Sequence, residues 1–271
     1  VAAYQENAGS SSLFIEARKT PSEERIRGII EHAHKAGLRV ILMPIVLLEN
    51  PGEGEWRGQI NPKSWNDWWE DYTNYVLHYA HLCQETGVEA FVVGSELVST
   101  EDQTGPWRNL IRQVRGAFKG LLTYSANWDH YTVPKWWDEL DIVGMTTYYD
   151  LTGGDKPTVP RLLKSWQEIK AKVLQWQATV RRPILFTEVG WPNQATCAQY
   201  PWDYYRAQDR PDPVAYYTFD IPQGLIVPDD SGNRFWATAT GKLQFVPGLT
   251  GKAPLFDGRT YLVVSDNAVL Q

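Results

Sequence analysis

Residues 182–191, Arg-Pro-Ile-Leu-Phe-Thr-Glu-Val-Gly-Trp, decide how the rest of the chain is interpreted. A short apolar run at residues 184–186 follows Pro183, and such a run after a long helical pattern is typical of a buried parallel strand. The run ends on Glu188 and is broken at Gly190. A carboxylate at the end of a buried strand costs free energy unless it is paired or used. The stretch therefore predicts a strand that carries a paired or working acid at its C-terminal end.

A second stretch, residues 88–97, has the same form, because Val-Glu-Ala-Phe-Val-Val-Gly-Ser-Glu-Leu is largely apolar and places Glu96 near its end. In a closed parallel barrel the strand C-termini face one end, so Glu96 and Glu188 are expected there together. A retaining glycosidase needs two carboxyl groups about 5–5.5 Å apart, with pKa values separated by their environments. A helix cap or a salt bridge explains either glutamate alone equally well, but the pair favours catalysis.

Strand and helix patterns alternate along most of the chain. Further strands are predicted over residues 38–46, 121–128 and 141–149, and helices over residues 20–37, 61–87, 105–118 and 159–180. This alternation predicts an α/β architecture with a parallel sheet and right-handed crossovers. From residue 212 onward no long helical pattern remains, and short strands such as Tyr261–Val264 between Gly, Asp and Pro turns predict an all-β segment.

Three helix details are predicted from local pattern. Thr20-Pro-Ser-Glu23 predicts an N-cap at Thr20 with a capping box closed by Glu23. The aromatic stripe along residues 65–82 indicates core packing. On the last helix the predicted buried side consists of Leu162, Leu163, Trp166, Ile169, Val173 and Trp176.

Composition narrows the function. The formal net charge is −6 and no basic stripe is present, which argues against a nucleic-acid partner. No run approaches the roughly 18 apolar residues of a membrane-spanning helix. Cys83 and Cys197 form no metal or redox motif, and the five histidines show no metal spacing, so neither a metal nor a cofactor is predicted. The 13 Trp and 14 Tyr are many for 271 residues and suit a protein whose rings stack on sugars.

Other side chains are expected near the two glutamates. Asn127, Trp128, Tyr148 and Trp191 lie at or just beyond predicted strand ends, while Trp56 and Arg57 lie in the Gly-rich loop of residues 50–60. Taken singly, Asn127 is more often a turn residue and Tyr148 a packed ring. A surface ion pair at Arg57 is as good an interpretation as a ligand contact.

Five motifs in a fixed order resemble glycoside hydrolase family 113 over roughly residues 1–205. They are Gly54-Glu-Trp-Arg-Gly58, Val92-Val-Gly-Ser-Glu-Leu97, Leu122-Thr-Tyr-Ser-Ala-Asn-Trp128, Val143-Gly-Met-Thr-Thr-Tyr148 and Leu185-Phe-Thr-Glu-Val-Gly190. The resemblance implies a (β/α)8 TIM barrel and retaining endo-β-1,4-mannanase activity. Glu96 would then be the acid/base at the end of strand four, and Glu188 the nucleophile at the end of strand seven.

The resemblance also implies sugar-binding residues. Tyr148 would hydrogen-bond the nucleophile or the sugar beside it, and the other predicted substrate contacts are Trp56, Arg57, Asn127, Trp128 and Trp191. Much of the wider clan has Asn before the acid/base, whereas this chain has Ser95, which removes one usual contact to the sugar 2-hydroxyl.

Counted from the Glu96 strand as the fourth, the chain begins at the tip of strand two, and no eighth strand is evident after Trp191. The expected fold is therefore an incomplete barrel over residues 1–211. Residues 215–220, 230–233 and 251–258 resemble the opening of a laminin-G-like jelly roll, which assigns residues 212–271 to a partial all-β segment.

Two functions follow from these patterns. The first is a retaining glycoside hydrolase that cleaves β-1,4-mannan or a related β-linked polysaccharide, secreted or at the cell surface because its substrate is a polymer. The alternative is a non-catalytic carbohydrate-binding, cell-surface or phage-tail barrel protein. Carboxyl groups about 5 Å apart would support chemistry, whereas a separation beyond about 10 Å would support binding only.

Overall fold

The computed structural model describes residues 1–192 and 197–203, together with five short strands between residues 226 and 264. The chain divides into two compact units, Val1–Asp203 and Tyr204–Gln271. The predicted boundary between residues 211 and 212 lies outside the described residues, so the domain assignment stays a prediction.

The first unit contains eight described strands and four α-helices. The strands are β1 (Ala2–Gln5), β2 (Leu13–Phe14), β3 (Ile41–Leu42), β4 (Ile45–Leu48), β5 (Ala90–Ser95), β6 (Leu121–Ala126), β7 (Val143–Thr146) and β8 (Ile184–Glu188). The helices are α1 (Glu23–Lys35), α2 (Trp65–Thr86), α3 (Thr104–Ala117) and α4 (Val159–Val180). Short 3-10 helices occur at Arg57–Gln59, Val98–Thr100 and Trp137–Glu139.

Five parallel strands form the main sheet in the order β3-β5-β6-β7-β8. A smaller sheet pairs β1 with β4 in parallel and with β2 antiparallel. β3 and β4 are two pieces of the strand predicted over residues 38–46, and the break falls at Pro44, which has no backbone N–H to donate. Together these strands and helices form a curled half-barrel, which confirms the predicted incomplete (β/α)8 fold.

The N-cap of α1 differs from the prediction. Ser22 is the cap residue, and its side chain accepts a hydrogen bond from the Arg25 backbone N–H. Thr20 is buried, and its hydroxyl donates instead to the Ala2 carbonyl at 2.7 Å. The prediction of a cap at Thr20 is therefore wrong, because a tertiary hydrogen bond to β1 takes the hydroxyl that would otherwise cap the helix.

The hydrophobic core lies between the main sheet and the helices α2 and α3. The aromatic stripe of α2 faces this core, which confirms its interpretation as packing; its buried members are Trp68, Tyr72, Tyr75, Tyr79 and Leu82. From α3, the residues Trp107, Leu110, Ile111 and Val114 are buried against the same core. Cys83 of α2 is also buried, and burial raises the pKa of its thiol to about 12.

Helix α4 has the predicted bounds, and its predicted buried side is partly buried. Val173 is its single buried residue, while Leu163 is 57% exposed. α4 follows the outer side of β8, where the Trp166 ring meets the Phe186 ring edge-on with centroids 5.7 Å apart. Near its other end, the Trp176 ring packs edge-on against Tyr131 with centroids 4.9 Å apart. The predicted buried side is therefore wrong for Leu163, whereas Val173 is buried and Leu162, Trp166, Ile169 and Trp176 are half-buried.

All described elements of the second unit are strands. β9 (Ile226–Val227), β10 (Ala237–Thr240) and β13 (Tyr261–Val264) form an antiparallel sheet in the order β13-β10-β9, and β11 (Gln244–Pro247) pairs with β12 (Lys252–Leu255). The strand predicted at Tyr261–Val264 is confirmed. The laminin-G-like stretches at residues 215–220 and 230–233 lie outside the described residues, and 251–258 is described only in part, so that likeness stays a prediction.

Of the described helices, none combines the length and the apolar character that a membrane span requires.

Candidate active site

Glu96 directly follows β5, a strand whose six residues are all buried. Its backbone adopts a left-handed conformation with φ 51°, and its N–H donates to the Ser125 carbonyl of β6 at 2.8 Å. The residue is only 7% exposed. The end of β5 therefore holds the Glu96 carboxyl in a nearly buried position at the C-terminal end of the sheet.

Arg57 connects the two glutamates. Its Nη2 donates to Glu96 Oε2 at 2.6 Å and lies 3.9 Å from Glu188 Oε1. Those two carboxylate oxygens are therefore at most 6.5 Å apart, the sum of the 2.6 Å and 3.9 Å contacts. This upper limit excludes a separation beyond about 10 Å and is compatible with the spacing of about 5–5.5 Å used by retaining glycosidases.

Glu188 is the last residue of β8 and is held by the segment that follows β7. The Tyr148 hydroxyl donates to Glu188 Oε2 at 3.0 Å, and Thr147 donates its N–H and its hydroxyl to the Glu188 carbonyl at 3.0 and 2.9 Å. Burial, followed by the negative charge of Glu188, raises the pKa of Tyr148 above its ordinary value. Tyr148 therefore stays protonated at neutral pH and remains a hydrogen-bond donor.

The environment of Glu96 favours its protonated form. Burial is the largest cause of its raised pKa; the Arg57 guanidinium opposes this effect, the Glu188 charge reinforces it, and the neighbouring Thr146 hydroxyl opposes it. The side chain of Glu96 is 9% exposed and that of Glu188 is 24% exposed. A more buried carboxyl beside a more solvated one is the arrangement that separates an acid from a nucleophile.

Asn127 and Trp128 follow β6 and are tied to the end of β7. The Thr146 hydroxyl accepts from the Trp128 N–H at 3.0 Å and donates to Asn127 Oδ1 at 3.4 Å, while Asn127 Nδ2 donates to Asp129. The Trp128 ring stacks on Trp202 with centroids 5.7 Å apart. Trp202 was not among the predicted site residues because it lies beyond the last recognised motif, where only its residue type signalled a sugar-binding role.

The remaining two predicted contacts lie in different surroundings. Trp56 precedes Arg57 and is 37% exposed, and its ring lies so close to Gly58 that a side chain there would collide with it. Trp191 is 49% exposed and lines a groove of about 370 Å³ with Phe186, Val189 and apolar residues of α4. The structure thus brings Arg57 and Tyr148 to the glutamates, whereas Trp191 lies in the groove between β8 and α4.

Two buried polar atoms lie unpaired at or beside Glu96. Within the described part of the chain, Ser95 Oγ and Arg57 Nε have no hydrogen-bond partner. Ser95 directly precedes Glu96, and Arg57 is the ion-pair partner of Glu96.

Among the described residues, no group of three His, Cys, Asp or Glu side chains is placed to hold a metal ion.

A curled sheet of parallel strands with paired glutamates at its C-terminal end matches the (β/α)8 barrel class. The profile of Glycoside Hydrolase Family 113 matches residues 1–219. The chain belongs to glycoside hydrolase family 113.

Solved structures agree with this assignment. A family 113 β-mannanase from Alicyclobacillus acidocaldarius, solved in complex with ManMIm, is 30% identical with a TM-score of 0.66, and the match covers 74% of this chain and 62% of that one. A family 113 β-1,4-mannanase is 32% identical with a TM-score of 0.64, covering 75% of this chain and 64% of that one. The chain therefore spans less than two thirds of the length of these relatives. No curated protein matches the chain.

Proposed function

We propose that the protein is a retaining glycoside hydrolase that cleaves β-1,4-mannan, with Glu188 as nucleophile and Glu96 as acid/base. The observation that carries the proposal is the Arg57 bridge, which keeps the two carboxylates within reach of one sugar. Membership of family 113 and the β-mannanase activity named for its solved relatives support the substrate class.

In the first step, Glu188 attacks the anomeric carbon of the sugar while protonated Glu96 donates its proton to the departing glycosidic oxygen. The carbon–oxygen bond of the linkage breaks as the bond to Glu188 forms, and the shortened polysaccharide leaves as an alcohol. The raised pKa of Glu96 keeps the proton available for this step. The Tyr148 hydroxyl orients Glu188 by donating to one carboxylate oxygen and leaves the other oxygen to attack.

In the second step, Glu96 is a carboxylate and acts as the base. It takes a proton from water as the water oxygen attacks the anomeric carbon, and the bond to Glu188 breaks. Two inversions leave the configuration of the sugar unchanged. Arg57 stabilises negative charge on Glu96 at this stage, since its Nη2 contacts Oε2 directly.

The substrate would be met outside the cell, because a polysaccharide is too large to enter it. The exposed rings of Trp56 and Trp202 and the half-buried ring of Trp128 are candidate stacking surfaces for successive sugars.

The test compares reducing-sugar release from β-1,4-mannan by this chain and by Glu188→Gln, with Glu85→Gln as control. Glu85 is an exposed glutamate that pairs with Arg27, so its variant removes one carboxylate without touching the site. Activity in the chain and in Glu85→Gln, lost in Glu188→Gln, is the expected result. Proton NMR of the first product should show the β-anomer. If the chain and both variants bind mannan and none of them hydrolyses it, the protein is a carbohydrate-binding protein instead.

A further inference from the structure

We propose that Tyr124 and Glu101 are positioning residues that hold the Glu96 carboxyl in its acid/base position. The inference rests on the proposed function and deepens it. Neither residue reaches the substrate side of Glu96; both act through the backbone of Leu97, the residue that follows it.

The contacts form one chain of hydrogen bonds. The Leu97 N–H donates to the Tyr124 hydroxyl at 2.9 Å, and that hydroxyl donates to Glu101 Oε1 at 2.8 Å. Tyr124 lies on β6, whereas Leu97 and Glu101 begin and end the turn that follows β5. A single phenol hydroxyl therefore ties the turn together and joins it to the neighbouring strand.

The turn needs such a tie because of its backbone. Glu96 adopts φ 51°, a conformation that costs a residue with a side chain about 1 kcal/mol or more unless the surroundings enforce it. The Glu96 N–H is held by the Ser125 carbonyl at 2.8 Å, and the next N–H is held by Tyr124. Both peptide units that flank the Glu96 Cα are thus anchored to β6, which sets the direction of its side chain.

The anchor is itself immobile. Tyr124 and Glu101 are both fully buried, and the Tyr124 ring packs edge-on against Trp107 and Trp136 with centroids 5.1 and 5.0 Å apart. A side chain added at Gly94 of β5 would lie 2.9 Å from Trp107 and 3.2 Å from Tyr124, so these rings are pressed against the strand. The second Glu101 oxygen faces His130 Nδ1 at 3.5 Å.

Displacing a general acid has a specific chemical effect. Proton donation matters most when the leaving group is a poor one, because a good leaving group departs without a proton. A change that only loosens the fold lowers the rates with both kinds of substrate alike. The ratio of kcat/KM between dinitrophenyl and phenyl β-mannobiosides therefore reports on Glu96 placement rather than on stability.

The experiment measures that ratio in the full chain and in Tyr124→Phe. Tyr72→Phe is the matched control, because Tyr72 is also fully buried. Its hydroxyl donates to the Val93 carbonyl of β5, the strand that precedes Glu96, and not to the turn after Glu96. Tyr124→Phe should lower kcat/KM for the phenyl substrate by about 10- to 100-fold and change the dinitrophenyl value several-fold less. Tyr72→Phe should change both values by the same factor.

A second pair of variants tests whether an oxygen that accepts from Tyr124 is what matters at position 101. Glu101→Gln keeps a carbonyl oxygen to accept from Tyr124 and should retain the wild-type ratio, whereas Glu101→Leu should shift it as Tyr124→Phe does. A ratio in Tyr124→Phe equal to that of Tyr72→Phe would overturn the inference while leaving the proposed function intact. A chain that hydrolyses neither substrate would instead overturn the proposed function, and the inference with it.

Amide hydrogen exchange at Leu97 gives a readout besides activity. The Leu97 N–H should be protected in the wild-type chain and in Tyr72→Phe, and should exchange at least 10-fold faster in Tyr124→Phe, relative to neighbouring amides. Unchanged protection in Tyr124→Phe would contradict the proposed anchor.

Discussion

Glu96 and Glu188 end strands of the same sheet, yet the two halves of the half-barrel support them differently. β5 is entirely buried and has hydrogen-bonded strands on both sides, with α2 and α3 packed over it. β8 is only partly buried, ends the described sheet, and exposes 42% of Phe186. The Glu96 carboxyl is thus held by elements on several sides, while the Glu188 carboxyl depends on β7 and the segment after it. A sheet positions an acid more firmly when its strand is interior.

The substitutions Glu188→Gln and Glu96→Gln, which replace each carboxyl with an amide, give the largest expected loss of catalytic rate. On the dinitrophenyl substrate, Glu188→Gln should lower kcat about 10⁴-fold or more because no nucleophile remains, while Glu96→Gln should lose far less in the first step. On mannan both variants should be nearly inactive. Steady-state kinetics on the two substrates measure this, and equal losses on the activated substrate would contradict the assigned roles.

Arg57 is the one described side chain that contacts both carboxylates, so Arg57→Met removes their link. Activity on mannan should fall about 100-fold, from the loss of a charge-assisted hydrogen bond worth roughly 1.5–3 kcal/mol. Arg57 opposes the rise in the Glu96 pKa, so the alkaline limb of kcat/KM should move to higher pH. A limb that moves to lower pH would show that Glu96 is not the group that titrates. Arg27→Met, on the exposed face of α1, is the control.

The packing difference between the halves can be measured with one substitution type. Leu110 of α3 is fully buried, whereas Leu163 of α4 is 57% exposed. Leu110→Ala should lower the free energy of unfolding by about 3 kcal/mol, and Leu163→Ala by less than about 1 kcal/mol. Urea denaturation followed by tryptophan fluorescence measures both. A large loss in Leu163→Ala would show that α4 is covered in solution.

Glu101 gives an effect of another kind, a pH dependence of the free energy of unfolding. Burial raises its pKa to about 8 from an ordinary 4.5, while the Tyr124 hydrogen bond opposes this, and Asp129 and Glu96 add to it. Between those values the folded state binds one more proton than the unfolded chain, so its stability falls as pH rises from 4.5 to 8. At about 1.4 kcal/mol per pKa unit the fall is at most about 5 kcal/mol, and Glu101→Gln should remove most of it. Thermal unfolding at several pH values tests this, with Glu85→Gln as control.

The strands that carry the glutamates could be predicted because each is a short apolar run that ends on an acid. The bounds of α4 could also be predicted, since Pro160 at its first turn and the apolar spacing are local signals. Both kinds of information lie within a few consecutive residues.

What the sequence could not provide depends on partners distant in the chain. Thr20 donates to the Ala2 carbonyl instead of capping α1, and Leu163 of α4 is 57% exposed although its spacing predicts a buried position. The sequence left open whether Arg57 makes an ion pair or a ligand contact, and its partner proves to be Glu96 itself. No local pattern predicted the left-handed backbone at Glu96 or its tie to Tyr124. The assignment of Trp191 to sugar binding stays a prediction.

The left-handed backbone at Glu96 also opposes the stability of the fold to the proposed catalytic role of the carboxyl. Glycine adopts φ 51° without steric cost, so by conformation alone it suits position 96 better than any residue with a side chain. A chain with Glu96→Gly should therefore resist unfolding better than one with Glu96→Ala, although neither would retain an acid. Selection for stability alone would remove the carboxyl from this turn, and selection for the proposed proton transfer would keep a glutamate there.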